Sequence, residues 1–302
     1  MFDLIIVGGG PAGVTAAIYA ARKKMNFLLI AKDIGGQASW SFDTDNYPGF
    51  RHISGMKLME KFEEHLKDYD VGMKIDEDVK EIKKISNDFD VITNKSSYQT
   101  KTVLICSGKI PRRLNIPGEE KFLGSGVAYC AVCDAPFFKD KNIAVVGGGN
   151  SAVDAIFHLE NIAKKIYLVN IELKPCCDEI LHKKVEKIGN VEILNDAKIS
   201  EIVGEESVTG IKIEQGGNKK IIDVDGVFVE IGFIPNTSFV NGLVRLNECG
   251  EIVIDNRNMT SVPGIFAAGD VTDVAGKQLI IAAGEGAKAL LSVANYLKRV
   301  EE

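Results

Sequence analysis

Long apolar runs are missing from this chain of 302 residues. The longest stretches, such as Leu279 to Ala283 and Ala289 to Ala294, are broken by Gly, Glu and Lys well short of the roughly 20 residues that span a bilayer. No segment is therefore expected to cross a membrane. Blocks of like charge are missing too, because the net charge of −6 comes from interspersed acids and bases. That pattern gives a nucleic-acid face no support. Cysteine is scarce, and six irregularly spaced residues do not make a stapled secreted scaffold. In a reducing compartment a close pair reads instead as catalytic or metal-binding. The strand-like Leu4-Ile5-Ile6-Val7 has no basic region before it and no small-residue cleavage site after it, so no secretory leader is expected and the location is read as cytoplasmic.

What is present is globular in kind. Apolar residues make up 45% and charged residues 26%, values that disfavour disorder. The chain is too long for one compact core, so two domains are expected. Low-complexity tracts are absent, and the crossings between domains should be short.

The organising feature is a repeat of strand, glycine-rich turn and helix. Leu4 to Val7 leads into Gly8-Gly9-Gly10-Pro11-Ala12-Gly13, a helix through Arg22 and a strand at Phe27 to Ile30. The same order recurs from Ile143 to Val146, through Gly147-Gly148-Gly149-Asn150-Ser151-Ala152, a helix to about Asn161 and a strand at Ile166 to Val169. Each is a βαβ unit whose turn needs residues without Cβ, so that backbone N–H groups and the helix start can meet a pyrophosphate. A lone G-x-G-x-x-G is weak, and the flanking strand and helix give it weight. The acidic residue expected at the end of the second strand is replaced by Ala31, with Asp33 the nearest substitute. Between Val191 and Val229, short β-branched runs and the turn Gly216-Gly217-Asn218 predict a small antiparallel meander. A long helix is expected from about Leu279 to Arg299.

Cys130-Ala131-Val132-Cys133 has the spacing of a redox pair that closes a small disulfide ring. Half of a zinc site and an incidental pair are the other readings. Zinc would need two more ligands, whereas Cys176-Cys177 is vicinal and His52, His65, His158 and His182 form no finger pattern. Asp134 is placed to pass protons to a leaving thiolate. Cys106 and Cys249 read as packing residues.

Taken in order, Gly8 to Gly13, Gly35-Gly36-Gln37, Asp45-Asn46-Tyr47-Pro48-Gly49, Cys130 to Asp134, Gly147 to Ala152 and Gly264-Ile265-Phe266-Ala267-Ala268-Gly269-Asp270 resemble the low-molecular-weight thioredoxin reductases over nearly the whole chain. The resemblance implies an α/β fold of two Rossmann-like (FAD/NAD(P)-binding) domains, the second inserted into the first. Residues 1–110 and 238–302 would form the FAD domain, and 111–237 the NAD(P)-binding-like domain with the dithiol. Gly8, Gly10, Pro11, Ala12, Gly13, Gly35, Gly36, Gln37, Asn46, Gly269, Asp270, Lys277, Gln278 and Leu279 would hold FAD. Lys277 stands where the relatives usually carry Arg. By the same resemblance Cys133 faces the flavin, Cys130 attacks the partner disulfide and Asp134 is the general acid/base, with no metal involved. Phe137 and Phe138 sit where aromatic residues of relatives help to dock thioredoxin. The expected partner is a thioredoxin-like protein and the expected assembly a homodimer.

The departure lies after Val169. Relatives that use NADPH carry an arginine clamp there for the 2′-phosphate, but this chain reads Asn170-Ile171-Glu172-Leu173-Lys174-Pro175-Cys176. That loss resembles the ferredoxin-dependent flavin thioredoxin reductases, which implies reduced ferredoxin as donor, with Lys109, Arg112, Arg113, Lys139 and Lys141 as steering charges. An NADH-dependent reductase, with Glu172 on the 2′-hydroxyl, is one alternative. A redox-sensing flavoprotein or binding module without turnover is another. Cys176-Cys177 is either a second redox pair or incidental.

Overall fold

A computed structural model describes residues 1–40, 44 and 46–301; the side chains of Trp40, Val132, Cys133 and Glu301, and all of Asp45, lie outside the described residues. The chain divides into two compact units, Met1–Ile110 with Ile234–Glu302, and Pro111–Phe233. The return falls at Phe233/Ile234, four residues before the 237/238 boundary read from the sequence and inside the short strand Phe233–Pro235.

The first unit opens with β1 (Phe2–Val7), α1 (Pro11–Arg22) and β2 (Phe27–Ala31). These match the first βαβ pattern, since β1 and β2 pair in parallel from Leu4↔Phe27 to Val7↔Ile30. There follow α2 (Gly55–Lys67), β3 (Gly72–Ile75), β4 (Val79–Ile85), β5 (Asp88–Thr93) and β6 (Ser97–Ile105), and β7 (Lys109–Pro111) leads out of the unit. Sheet order is β3-β2-β1-β6-β5-β4. The first half of β6 pairs antiparallel with β5, which pairs in turn with β4. Burial explains the length of this strand. Its outer residues alternate, whereas Thr102 to Ile105 are all buried beneath neighbours on both sides.

The second unit contains β8 (Val127–Ala128), α3 (Ala131–Asp134), β9 (Asn142–Val146), α4 (Asn150–Leu159), β10 (Lys165–Val169), α5 (Glu179–Val185) and β11 (Val191–Leu194). Three antiparallel strands come next, β12 (Ala197–Gly204), β13 (Val208–Gln215) and β14 (Asn218–Asp223), and then β15 (Gly226–Val229), before β16 (Phe233–Pro235) leads the chain back out of the unit. The parallel sheet runs β11-β10-β9-β15-β8. This corrects the expected meander. Only its middle three strands form one, closed at Gly216 and Gly217, which both have positive φ as a tight hairpin needs. The outer two join the parallel sheet, where all four residues of Gly226–Val229 are buried.

On its return the chain contributes β17 (Ile265–Ala267), which pairs with the second half of β6, and α6 (Leu279–Glu301). Helices α1 and α6 pack closely through small side chains. A Cβ added at Gly286 would lie 2.1 Å from the Ala12 carbonyl oxygen, so only glycine fits there. Among the described residues no helix is long and apolar enough to cross a membrane.

Candidate active site

In each unit the chain leaves the first strand of the repeat toward one neighbour, while a later strand lies on the other side. The crevice at the carboxyl ends of those two strands is where open α/β sheets take ligands. In the first unit it lies between β1 and β6, and in the second between β9 and β15.

The first crevice is built from backbone. Gly8 has φ +114°, and a Cβ there would lie 2.3 Å from the Cys106 carbonyl oxygen; a Cβ at Gly13 would lie 1.8 Å from that of Gly8. These two glycines let the turn, the end of β6 and the start of α1 close on one another. Gly10 differs, because its Cβ direction meets nothing nearer than the Gly35 oxygen at 4.0 Å. It is the N-cap of α1, makes no side-chain cap and is followed by Pro11. The helix start is thus left open to an anion. Gly35 donates its N–H to the Gly9 oxygen at 2.8 Å, and Gly36 approaches the Gly10 Cα. Asp33 does not fill the strand-end position of Ala31; its Oδ1 accepts the Gly36 N–H at 2.9 Å and so shapes this second loop.

Further expected side chains lie in the same unit. Gly269 follows β17 and rests on Ala12 of α1 and Ala282 of α6. Asp270 next to it is half-buried, and burial raises its carboxyl pKa while Lys277 and Lys109 pull the other way. Gln37 donates to the Lys109 carbonyl oxygen at 2.6 Å. Asn46 donates to the Gln278 side-chain oxygen at 3.1 Å, and Leu279 opens α6 directly after it. The structure therefore gathers Gly8, Gly10, Pro11, Ala12, Gly13, Gly35, Gly36, Gln37, Asn46, Gly269, Asp270, Lys277, Gln278 and Leu279 within the first unit. Glu251 also belongs here, bonded to Lys277 at 3.1 Å and to Lys109 at 3.5 Å. No local pattern in the sequence marks Glu251. Lys109, expected as a steering charge, is instead a half-buried member of this group.

In the second unit Cys130 is disulfide-bonded and only 9% exposed, directly before α3. The side chain of Cys133 lies outside the described residues. Asp134 ends α3 half-buried, and burial raises its pKa. Cys130 is preceded by Tyr129, whose hydroxyl donates to Glu119 at 2.7 Å; the same carboxylate, 4% exposed, accepts the N–H groups of Leu114 and Asn115. The two phenylalanines part company. Phe137 is 73% exposed, whereas Phe138 is 7% exposed and packs edge-on against Phe228, where Gly226 leaves room for its ring. Phe138 is thus a core residue. Cys106 is buried as expected, but Cys249 is exposed, because it lies in the turn that Asn247 makes by accepting its N–H. Cys176 and Cys177 are both free. Among the described residues no group of three His, Cys, Asp or Glu is placed to hold a metal ion.

The second glycine turn repeats the backbone of the first. A Cβ at Gly147 would lie 2.1 Å from the oxygen of Glu230, the residue after β15, and Gly149 has nothing within 4 Å. Its surroundings are different. The Asn170 side chain is 2% exposed and folds the loop after β10 by donating to the Glu172 carbonyl oxygen and to Asn195, and by accepting the Glu172 N–H. Burial and the neighbouring Asp154 push the Glu230 carboxyl up to about 8. Glu230 escaped the sequence reading, although an acid directly after the buried run Gly226–Val229 was its signal.

The model of the pyridine nucleotide-disulphide oxidoreductase family matches residues 2–286, and the chain belongs to that family. It is 42% identical over 301 residues to the F component of the alkyl hydroperoxide reductase of Staphylococcus aureus (strain NCTC 8325 / PS 47), covering 99% of this chain and 59% of that relative. The chain thus spans about six-tenths of the length of the curated relatives it matches. Among solved structures, thioredoxin reductase from Lactococcus lactis matches with a TM-score of 0.90 at 33% identity, covering 99% of this chain and 100% of that one. A ferredoxin-flavin thioredoxin reductase from Clostridium acetobutylicum matches at 29% identity with a TM-score of 0.55, covering 99% and 98%. The chain is a thioredoxin-reductase-like flavoprotein oxidoreductase with FAD as its cofactor. The first crevice fits that group, since the open Gly10 and uncapped helix start suit a pyrophosphate and a carboxylate beside glycine suits a polyhydroxyl chain.

Proposed function

We propose that this chain is a disulfide reductase that passes electrons from FAD in the first unit through Cys130 and Cys133 to a thioredoxin-like protein. The observation that carries the reading is the disulfide at Cys130, nearly buried directly before a short helix that ends on Asp134, a carboxyl whose pKa burial raises. When bound, FAD supplies a two-electron couple that exchanges with a dithiol. The residues do the rest. Gly8, Gly10, Pro11, Ala12 and Gly13 receive the pyrophosphate, with Gly35, Gly36 and Gly269 permitting close approach. Asp270 accepts hydroxyl hydrogen bonds, while Gln37, Asn46, Lys277, Gln278 and Leu279 border the redox end. Once the ring is open, the Cys130 thiolate attacks one sulfur of the partner disulfide and the Cys133 thiolate resolves the mixed disulfide. Asp134 delivers the proton to the leaving thiolate. Exposed Phe137 is suited to meeting the partner surface. A homodimer is carried over from the resemblance.

Reduced ferredoxin is our preferred donor. The Asn170 side chain is committed to its own loop, and the following exposed residues, Ile171 to Lys174, include an acid and one lysine in place of an arginine clamp. Arg112, Arg113, Lys139 and Lys141 are exposed and available to steer an acidic protein. One observation favours a second reading, in which NADH is the donor. The turn at Gly149 keeps its open approach. The similarity to a hydroperoxide reductase component supports a peroxide-reducing partner as another acceptor. The test is an anaerobic comparison of NADPH, NADH and chemically reduced ferredoxin as donors, with a thioredoxin-like protein as acceptor. Rapid turnover with ferredoxin is expected. Rapid turnover with NADPH would overturn the donor assignment, and undiminished turnover in Cys130→Ser would overturn the dithiol route.

A further inference from the structure

We propose that Lys109 and Lys277, bridged by Glu251, form a cationic clamp facing the redox end of the bound cofactor, and that Lys109 and Glu251 are positioning residues that set how readily it is reduced. The proposal rests on the reading that FAD occupies the crevice between β1 and β6.

The three side chains come from three separate segments: the residue group after β6, the turn before Ile252 and the approach to α6. Glu251 Oε1 lies 3.1 Å from Lys277 Nζ and 3.5 Å from Lys109 Nζ, and Oε2 accepts a hydrogen bond from Asn247 at 2.9 Å. Lys277 also donates to the Thr272 carbonyl oxygen. Side-chain exposure is 19% for Lys109, 15% for Glu251 and 26% for Lys277. Surface ion pairs are worth little because water and salt screen them, whereas these charges are largely sheltered from both. Gln37 holds the Lys109 backbone against the loop whose Gly36 approaches Gly10.

The charge count gives the group its purpose. Two ammonium groups share one bridging carboxylate, so the trio alone carries one net positive charge. Asp270, which senses both lysines and Glu251, balances it when ionised. Sheltering two lysines costs desolvation free energy, and a structure that bears that cost is suited to an anion that comes and goes. Reduction of the flavin by two electrons with uptake of one proton leaves one negative charge on its ring system. The lysines are the groups able to meet that charge, and Glu251 limits how strongly they do so.

The measurement is the midpoint potential of the FAD-loaded protein, read from flavin absorbance against a reference dye, for the parent, Lys109→Met, Glu251→Gln and the double variant. Lys109→Met should shift the reduction equilibrium roughly tenfold toward the oxidised form, about 30 mV lower for a two-electron couple. Glu251→Gln should shift it a similar amount the other way. The double variant should return near the parent, and Lys109→Arg, which keeps the charge, should stay within about twofold of it. A merely structural role would move both single variants in the same direction or neither. Either result, at full FAD occupancy, would overturn the clamp while leaving the cofactor assignment intact. Failure of the parent itself to bind FAD would overturn the reading on which the clamp rests.

Discussion

Alanine at Gly10 and alanine at Gly13 should damage the protein in different ways, and the difference can be worked from the first crevice. At Gly13 the new methyl would lie 1.8 Å from the Gly8 carbonyl oxygen and 2.9 Å from its carbon. Ordinary contact begins near 3.4 Å, so α1 must move away from the turn by about 1.5 Å, and the obstacle is backbone that cannot rotate aside. Such overpacking costs roughly 3 kcal/mol or more, equivalent to about 6–12 °C of melting temperature for a domain of roughly 150–250 residues. At Gly10 the methyl meets no protein atom nearer than 4.0 Å, and φ of −75° suits any residue. The lost N-cap preference and the gain from a stiffer unfolded chain each amount to about 1 kcal/mol or less and oppose one another. The apoprotein should therefore melt within a few degrees of the parent. Its methyl, however, points into the space left for the pyrophosphate, and FAD affinity should fall at least about 100-fold, near 2.7 kcal/mol. Circular dichroism melts of the apoproteins and FAD titrations followed by flavin fluorescence measure the two effects separately. A Gly10→Ala protein that binds FAD as tightly as the parent would refute the cradle assigned to this turn.

Two further outcomes follow from buried carboxyls in the second unit. Glu230 holds its proton up to about pH 8 when folded, against an ordinary 4.5, so the folded form binds the proton that the unfolded chain releases. Its contribution to stability is complete below pH 4.5 and is lost as pH rises through about 8, by up to roughly 5 kcal/mol. Urea unfolding of Glu230→Gln at pH 5 and pH 8 should show this decline removed, and a decline equal to the parent's would count against the assignment. Asp134, raised by burial, should give a limb on which turnover falls as pH rises and its acid form is lost. Asp134→Asn should lose that limb and roughly 100-fold in rate, whereas an unchanged pH profile would remove Asp134 from the proton path.

Local chemistry made some of this legible in the sequence. The turn at Gly8 to Gly13 declares itself because a buried strand, glycines and a helix follow within a few residues, and their contacts are with one another. The closely spaced cysteines are local in the same sense. What stayed hidden depends on distant partners. Val191–Leu194 and Gly226–Val229 look like the strands between them, and only their pairing with β10 and β9 separates them from the meander. Phe137 and Phe138 are chemically identical neighbours, yet the space at Gly226 admits one and leaves the other outside. Cys249 looked apolar and proved exposed, because the Asn247 turn, and not side-chain hydrophobicity, sets its place. Lys109 and Glu251 meet through tertiary structure alone.

The two glycine turns show what such a motif can and cannot say. Both have a first glycine pressed against a neighbouring strand end and a later one facing open space, because strand, turn and helix impose that backbone whatever is bound. The charge around them is not imposed in this way. In the first unit Lys109 and Lys277 share the Glu251 carboxylate, whereas in the second Asp154 adds to the burial that raises Glu230 beside Gly147. Nor would a single arginine by itself give the second turn a phosphate clamp. Placed at Asn170 it would remove a buried side chain that makes three hydrogen bonds to Glu172 and Asn195, and an unmade set of buried bonds costs more than one exposed phosphate contact returns. Placed at Glu172, which is exposed, it would leave that loop intact but still work against the acidic strand end. The backbone of the glycine motif is the same in both turns, so a choice of donor has to be read from the residues around it.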